Sequence, residues 1–139
     1  MKKTALFLII LTTFLSCRKD ANETVLPQIN GVYTISSLYN MEGETLNFPE
    51  LDLNGKIAIT SELEITKVDE YQINILRKGV AMGTPYTDPL GVFDIRIGEG
   101  DYIVYKDGLY IGSINSSKLY LNFAGKSRNT MIASIRASR

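Results

Sequence analysis

Residues 56–68 read Lys-Ile-Ala-Ile-Thr-Ser-Glu-Leu-Glu-Ile-Thr-Lys-Val, with Ile57, Ile59, Leu63 and Ile65 at odd positions and Lys56, Thr60, Glu62, Glu64 and Thr66 at even ones. Successive side chains of an extended strand point to opposite faces, so this alternation makes a strand with one apolar face and one wet face. The same phase recurs along the chain. Tyr71, Ile73 and Ile75 alternate with Gln72 and Asn74; Phe93, Ile95 and Ile97 with Asp94 and Arg96; Leu119, Leu121 and Phe123 with Lys118, Tyr120 and Asn122. No run of ten or more residues carries a helical stripe, and Val, Ile, Thr and Tyr dominate the periodic segments. An all-β, mostly antiparallel sheet follows.

Turn chemistry falls between these segments. Asp107-Gly108 supplies the positive backbone angles of a two-residue hairpin, and Gly98-Glu99-Gly100 and Asn115-Ser116-Ser117 are further reversals. The reading yields about eight strands, near 31–39, 43–48, 56–67, 70–78, 91–98, 101–106, 109–114 with 118–124 close behind, and 128–137. An open sheet would leave two edges with unpaired backbone groups, and closure removes them. The expected fold is therefore an antiparallel up-and-down β-barrel of about eight strands, a size that encloses its own side chains or one small ligand. A sandwich, or a barrel filled by its own side chains, is the alternative.

The chain begins Met1-Lys2-Lys3, continues with the apolar run Ala5 to Leu15, and reaches Ser16-Cys17, the plan of a secretory signal with a small residue at the cut. Eleven residues, Thr12 and Thr13 among them, fall short of the roughly 20 needed to span a bilayer core. Cys17 is the only cysteine, so no intramolecular disulfide can form. Phe14-Leu15-Ser16-Cys17 resembles a bacterial lipobox of the looser kind found in Bacteroidota-type lipoproteins. That resemblance implies a signal peptide at residues 1–16, lipidation of Cys17 and attachment to a membrane by acyl chains, two or more of which hold a protein firmly. Arg18 follows Cys17 where enterobacterial lipoproteins retained in the inner membrane carry aspartate, so the expected home is the outer membrane of the cell envelope.

Residues 17–27, the lipidated cysteine and a polar stretch with no apolar period, read as a tether, leaving 28–139 as one domain with one core. The full chain carries 15 basic and 15 acidic residues. Loss of Lys2 and Lys3 with the signal leaves 13 against 15, a formal charge of −2 without a basic cluster. Nucleic acid is not an expected partner, because phosphate neutralisation needs concentrated Lys and Arg.

At the first strand stands Ile29-Asn30-Gly31-Val32-Tyr33-Thr34-Ile35, and the chain closes with Asn129-Thr130-Met131-Ile132-Ala133-Ser134-Ile135-Arg136. Over roughly residues 29–137 this resembles a lipocalin-like domain. In that family a Gly-x-Trp opens the first strand, the aromatic ring plugs the closed end of the barrel, and a basic residue on the last strand stacks over it. The resemblance implies barrel-closing roles for Gly31, for Tyr33 in place of tryptophan, and for Arg136.

The sequence contains no histidine, which removes the usual general base and the commonest nitrogen ligand for transition metals. With the one thiol acylated, Ser/His and Cys/His nucleophilic sites are excluded. Glu62 and Glu64 alternate with apolar residues and belong to a wet strand face rather than to an acid pair. The acidic segment Met41 to Asn54 lacks the ladder of a calcium loop. No catalytic residue, metal or cofactor is expected. Gly79 to Pro89 is the longest aperiodic stretch, and with Met41 to Pro49 it is expected to rim the barrel mouth, where Met41, Phe48, Met82 and Tyr86 would meet a ligand. The leading expectation is a noncatalytic, membrane-anchored lipoprotein whose barrel binds a small hydrophobic ligand. The alternative is a surface module that binds a protein partner, such as an enzyme inhibitor.

Overall fold

The computed structural model describes residues 26–124 and 132–139. Cys17, the signal, most of the tether and the start of the last expected strand lie outside these residues. Every described element is a strand: β1 Gly31–Asn40, β2 Thr45–Asn47, β3 Glu50–Leu51, β4 Ile57–Lys67, β5 Gln72–Ala81, β6 Thr84–Ile97, β7 Tyr102–Lys106, β8 Leu109–Ile114, β9 Lys118–Asn122 and β10 Ile132–Ser138. All pairings are antiparallel. From β4 to β10 each strand pairs with the next, β10 pairs with β1, and β1 pairs with β4 from Gly31/Ile65 to Thr34/Glu62. That last pairing closes an eight-stranded up-and-down barrel. β2 and β3 are short additions flanking the seam.

The inward phase read from the alternation forms the core. Leu63, Ile65, Ile73, Ile75, Phe93, Ile95, Leu119, Leu121 and Phe123 are all buried, together with Tyr33, Ile35, Val104, Ile111 and Ile135. Each such side chain contributes about 1.5–3 kcal/mol by leaving water. The Phe93 and Phe123 rings meet at 6.1 Å, tilted by 51°, and the middle of the barrel is occupied by its own side chains. The phase also overruns the barrel: Ile57, Tyr71 and Ile97 continue it past the last closed layer and are exposed.

Two expectations are corrected. Residues 79–89 are not a loop but a β-hairpin, in which β5 runs to Ala81, Met82 and Gly83 take positive φ, and β6 begins at Thr84. Pro85 and Pro89, within the stretch expected to be aperiodic, instead mark a strand edge. Among the described residues β6 pairs with β7 only from Asp94 onward, so Thr84 to Pro89 has a side with no strand partner there. Ala81/Thr84 closes a two-residue turn and exchanges hydrogen bonds, and alternation then turns the backbones of Pro85, Thr87 and Pro89 toward that free side. The expected strand at 43–48 is shortened to β2, Thr45–Asn47, and the further strand β3 follows it after a cis Phe48-Pro49 peptide.

Candidate functional site

The antiparallel order sends the β4–β5, β6–β7 and β8–β9 turns to the end where the chain enters at Gly31, and the β5–β6 and β7–β8 turns to the other. The entry end is plugged. Tyr33 is fully buried, and its hydroxyl donates to the carbonyls of Asn115, at 2.7 Å, and Ile29, at 3.1 Å. Asn115 is fixed in turn because its side-chain oxygen accepts the backbone N–H groups of Ser117 and Lys118. Burial pushes the Tyr33 phenol above its ordinary pKa, and the nearby Arg139 charge partly opposes this.

Arg139 lies over the Tyr33 ring with its guanidinium carbon 4.4 Å from the centroid. It donates to the carbonyls of Gln28, Ile29 and Asn30. A Cβ on Gly31 would stand 2.7 Å from the Arg139 Nη2, and Gly31 has φ +131°, so glycine is needed twice over at this position. Gly31 and Tyr33 therefore lie at the plug, whereas Arg136 does not. Ile135 and Ala137 face the core, and strand alternation then turns Arg136 outward, where it lies 5.8 Å from the Tyr120 ring. Arg139, which the resemblance missed, is reached only where the chain leaves β10. The alternation of Ile135 and Ala137 was the available signal.

The opposite end is parted. Beyond Thr34/Glu62 the two sides of the seam diverge: β1 continues with β2, pairing Ser37–Tyr39 with Asn47–Thr45, while β4 pairs with β3. Between them lies a cleft of about 310 Å³ lined by Thr34, Phe48, Pro49, Ile57, Thr60, Ser61 and Glu62. Directly paired residues share a face, and on the inner face of β4, β5 and β6 the apolar layers give way to polar ones toward this end. Leu63, Arg77 and Asp88 form one row and Ser61, Gly79 and Tyr86 the next. Tyr86 donates to the Ser61 Oγ at 2.8 Å and to the Thr60 carbonyl at 3.2 Å. Arg77 pairs with Asp88 at 3.0 Å and lies 5.5 Å from the Tyr86 ring, and its buried Nε has no hydrogen-bond partner among the described residues. A Cβ on Gly79 would come within 2.0 Å of the Thr60 carbonyl oxygen and 2.7 Å of the Tyr86 hydroxyl, so this glycine makes room for the tyrosine.

The four residues expected at a ligand thus divide. Phe48 packs against the core and lines the cleft, and Tyr86 supports its floor through Ser61. Met41 lies exposed in the turn after β1, whose backbone is held by the Asn40 side chain. Met82 is 87% exposed at the hairpin tip. Thr34 and Ser61 are cleft residues the periodicity did not single out, and Ile57, which it marked as inward-facing, is an exposed cleft wall, because the divergence of β1 from β4 is a long-range event. Comparison with protein families, with characterised proteins and with solved structures finds no match to this chain.

Proposed function

We propose that this chain is a noncatalytic, lipid-anchored protein of the cell envelope whose barrel takes a small, largely apolar ligand. The observation that supports the reading is the cleft between β1 and β4, with Phe48, Pro49 and Ile57 as apolar walls and Ser61 as a polar contact beneath. At about 310 Å³ it falls at the lower end of small-molecule sites. The filled middle of the barrel turns the reading away from a deep interior site and toward this parted rim. Membrane attachment at Cys17 and the lipocalin-like ancestry of the barrel are parts of the same proposal.

The test is native mass spectrometry of the chain purified without detergent and incubated with a cell lipid extract. A discrete bound mass that disappears on denaturation is expected. Phe48→Ala should weaken its affinity about tenfold, the effect of losing about 1.4 kcal/mol, and Met82→Ser should leave it unchanged. A bare mass throughout would overturn the ligand reading.

A second reading, a module that binds a protein partner, is supported by the apolar side chains around the same end: Leu51, Leu53, Ile57 and Met82 are exposed, and patches of this kind mark interaction sites. It predicts the bare mass.

A further inference from the structure

At the plugged end a second cleft, of about 370 Å³, opens beside the point where the chain enters the barrel. Leu26, Tyr71 and Ile97 form its outer walls, and the buried Ile95 and Tyr102 form its floor. Tyr71 is 69% and Ile97 61% exposed, although both continue the inward phase of their strands, and Val68 on the neighbouring turn is exposed too. These side chains extend the core beyond the last layer that the barrel covers.

The polar groups at this cleft are of both signs. Lys67 and Arg96 line it with Glu70, and among the described residues neither cation forms an ion pair. Lys67 instead lies 5.6 Å from the Tyr102 ring and Arg96 4.7 Å from the Tyr105 ring. The adjoining turns add Asp69, Glu99 and Asp101, so this end has no cationic excess to hold an anionic surface. A zwitterionic headgroup matches it better, its phosphate beside Lys67 and Arg96 and its ammonium beside Glu70. A tyrosine with an apolar body and a polar tip suits the boundary between headgroups and acyl chains.

We propose that the plugged end of the barrel docks on a zwitterionic lipid surface, with Leu26, Tyr71 and Ile97 set among the headgroups. This rests on the anchored reading given above. Cys17 precedes Leu26 by nine residues, which span at most about 30 Å fully extended. Met82 stands at the far tip of the ten-residue β5, about 33 Å along the strand from its start. The tether therefore leaves from the end that carries the cleft, and docking there leaves the parted end facing away from the membrane.

The chain has no tryptophan, so single tryptophans report position. The acylated protein carrying Tyr71→Trp, or Met82→Trp for comparison, is reconstituted in phosphatidylcholine and phosphatidylethanolamine vesicles with brominated acyl chains. The fluorescence of Tyr71→Trp is expected to be blue-shifted and quenched at least about threefold more than that of Met82→Trp, as for a side chain within 5–10 Å of the acyl boundary. The difference should survive about 1 M salt, where the screening length falls to about 3 Å, and should shrink when Ile97→Ser is added. The mass of the Cys17 peptide is read on the same sample. Acylation at Cys17 with equal quenching of the two variants would overturn the docking and leave the anchor standing. A Cys17 without acyl chains would overturn the anchor and with it the docking.

Discussion

The guanidinium of Arg139 stacks over the ring of Tyr33 at 4.4 Å while donating to the carbonyls of Gln28, Ile29 and Asn30. One side chain thus ties the end of the last strand to the approach of the first.

Removing that tie should be costly. Arg139→Ala loses a stacked cation and hydrogen bonds from a charged donor, and is expected to destabilise the fold by about 2–3 kcal/mol. Arg136→Ala should cost less than about 1 kcal/mol, since its contact with Tyr120 is on the outer face. Urea unfolding of the two variants checks the contrast. Equal costs would contradict the assignment of Arg139 to the plug.

Gly31→Ala should destabilise by about 1–3 kcal/mol, from both a strained φ and the approach to the Arg139 Nη2. In the Arg139→Ala background only the backbone strain remains, so the cost should fall. A double-mutant cycle measures the difference as a coupling between the two positions.

Burial raises the pKa of Tyr33, so the folded protein holds its phenolic proton at pH values where the unfolded chain has lost it. Below about pH 10 the phenol is protonated in both states and its contribution to stability is complete. As pH rises from there through the raised folded value, that contribution is lost. Tyr33→Phe should therefore be less stable at neutral pH, for want of the bonds to Asn115 and Ile29, yet show a shallower decline above pH 10. Unfolding followed by circular dichroism from neutral to strongly alkaline pH tests this, and parallel declines would count against it.

Pro85 and Pro89 remove backbone donors from the unpaired side of β6. An unprotected edge is a template for pairing with another chain. Pro85→Thr with Pro89→Thr should therefore leave monomer stability within about 1 kcal/mol but produce association that grows with concentration, measured by light scattering after size exclusion. A monomer at all concentrations would mean that the prolines do not guard this edge.

Gly79→Ala tests the polar row above the core. A Cβ there meets the Thr60 carbonyl and the Tyr86 hydroxyl, and overpacking of this kind costs about 1–3 kcal/mol or more. The Tyr86 hydrogen bond to Ser61 should be lost with it, and Tyr86→Phe should reproduce the smaller part of that cost, about 1 kcal/mol. Thermal unfolding of both variants is the check.

Much of this protein was legible without its fold. Alternation alone marked Leu63 and Ile65, Ile73 and Ile75, Phe93 and Ile95, and Leu119 and Leu121 as inward-facing, because strand geometry couples chain position to face one residue at a time. Asp107-Gly108 likewise marked its hairpin, since Asp107 and Gly108 both take positive φ. What depends on partners distant in sequence was decided only by the tertiary structure. The free edge of β6 made Pro85 and Pro89 compatible with a strand, which residue type alone argued against. The place where β1 leaves β4 created the cleft beside Phe48 and set Met41 and Met82 apart from it. The register of β10 against β1 chose Arg139 over Arg136 for the plug. Periodicity is a local property of the backbone, whereas closure, cleft and plug arise from pairings between strands far apart in the chain, so the alternation carried the first and only the closed barrel decided the others.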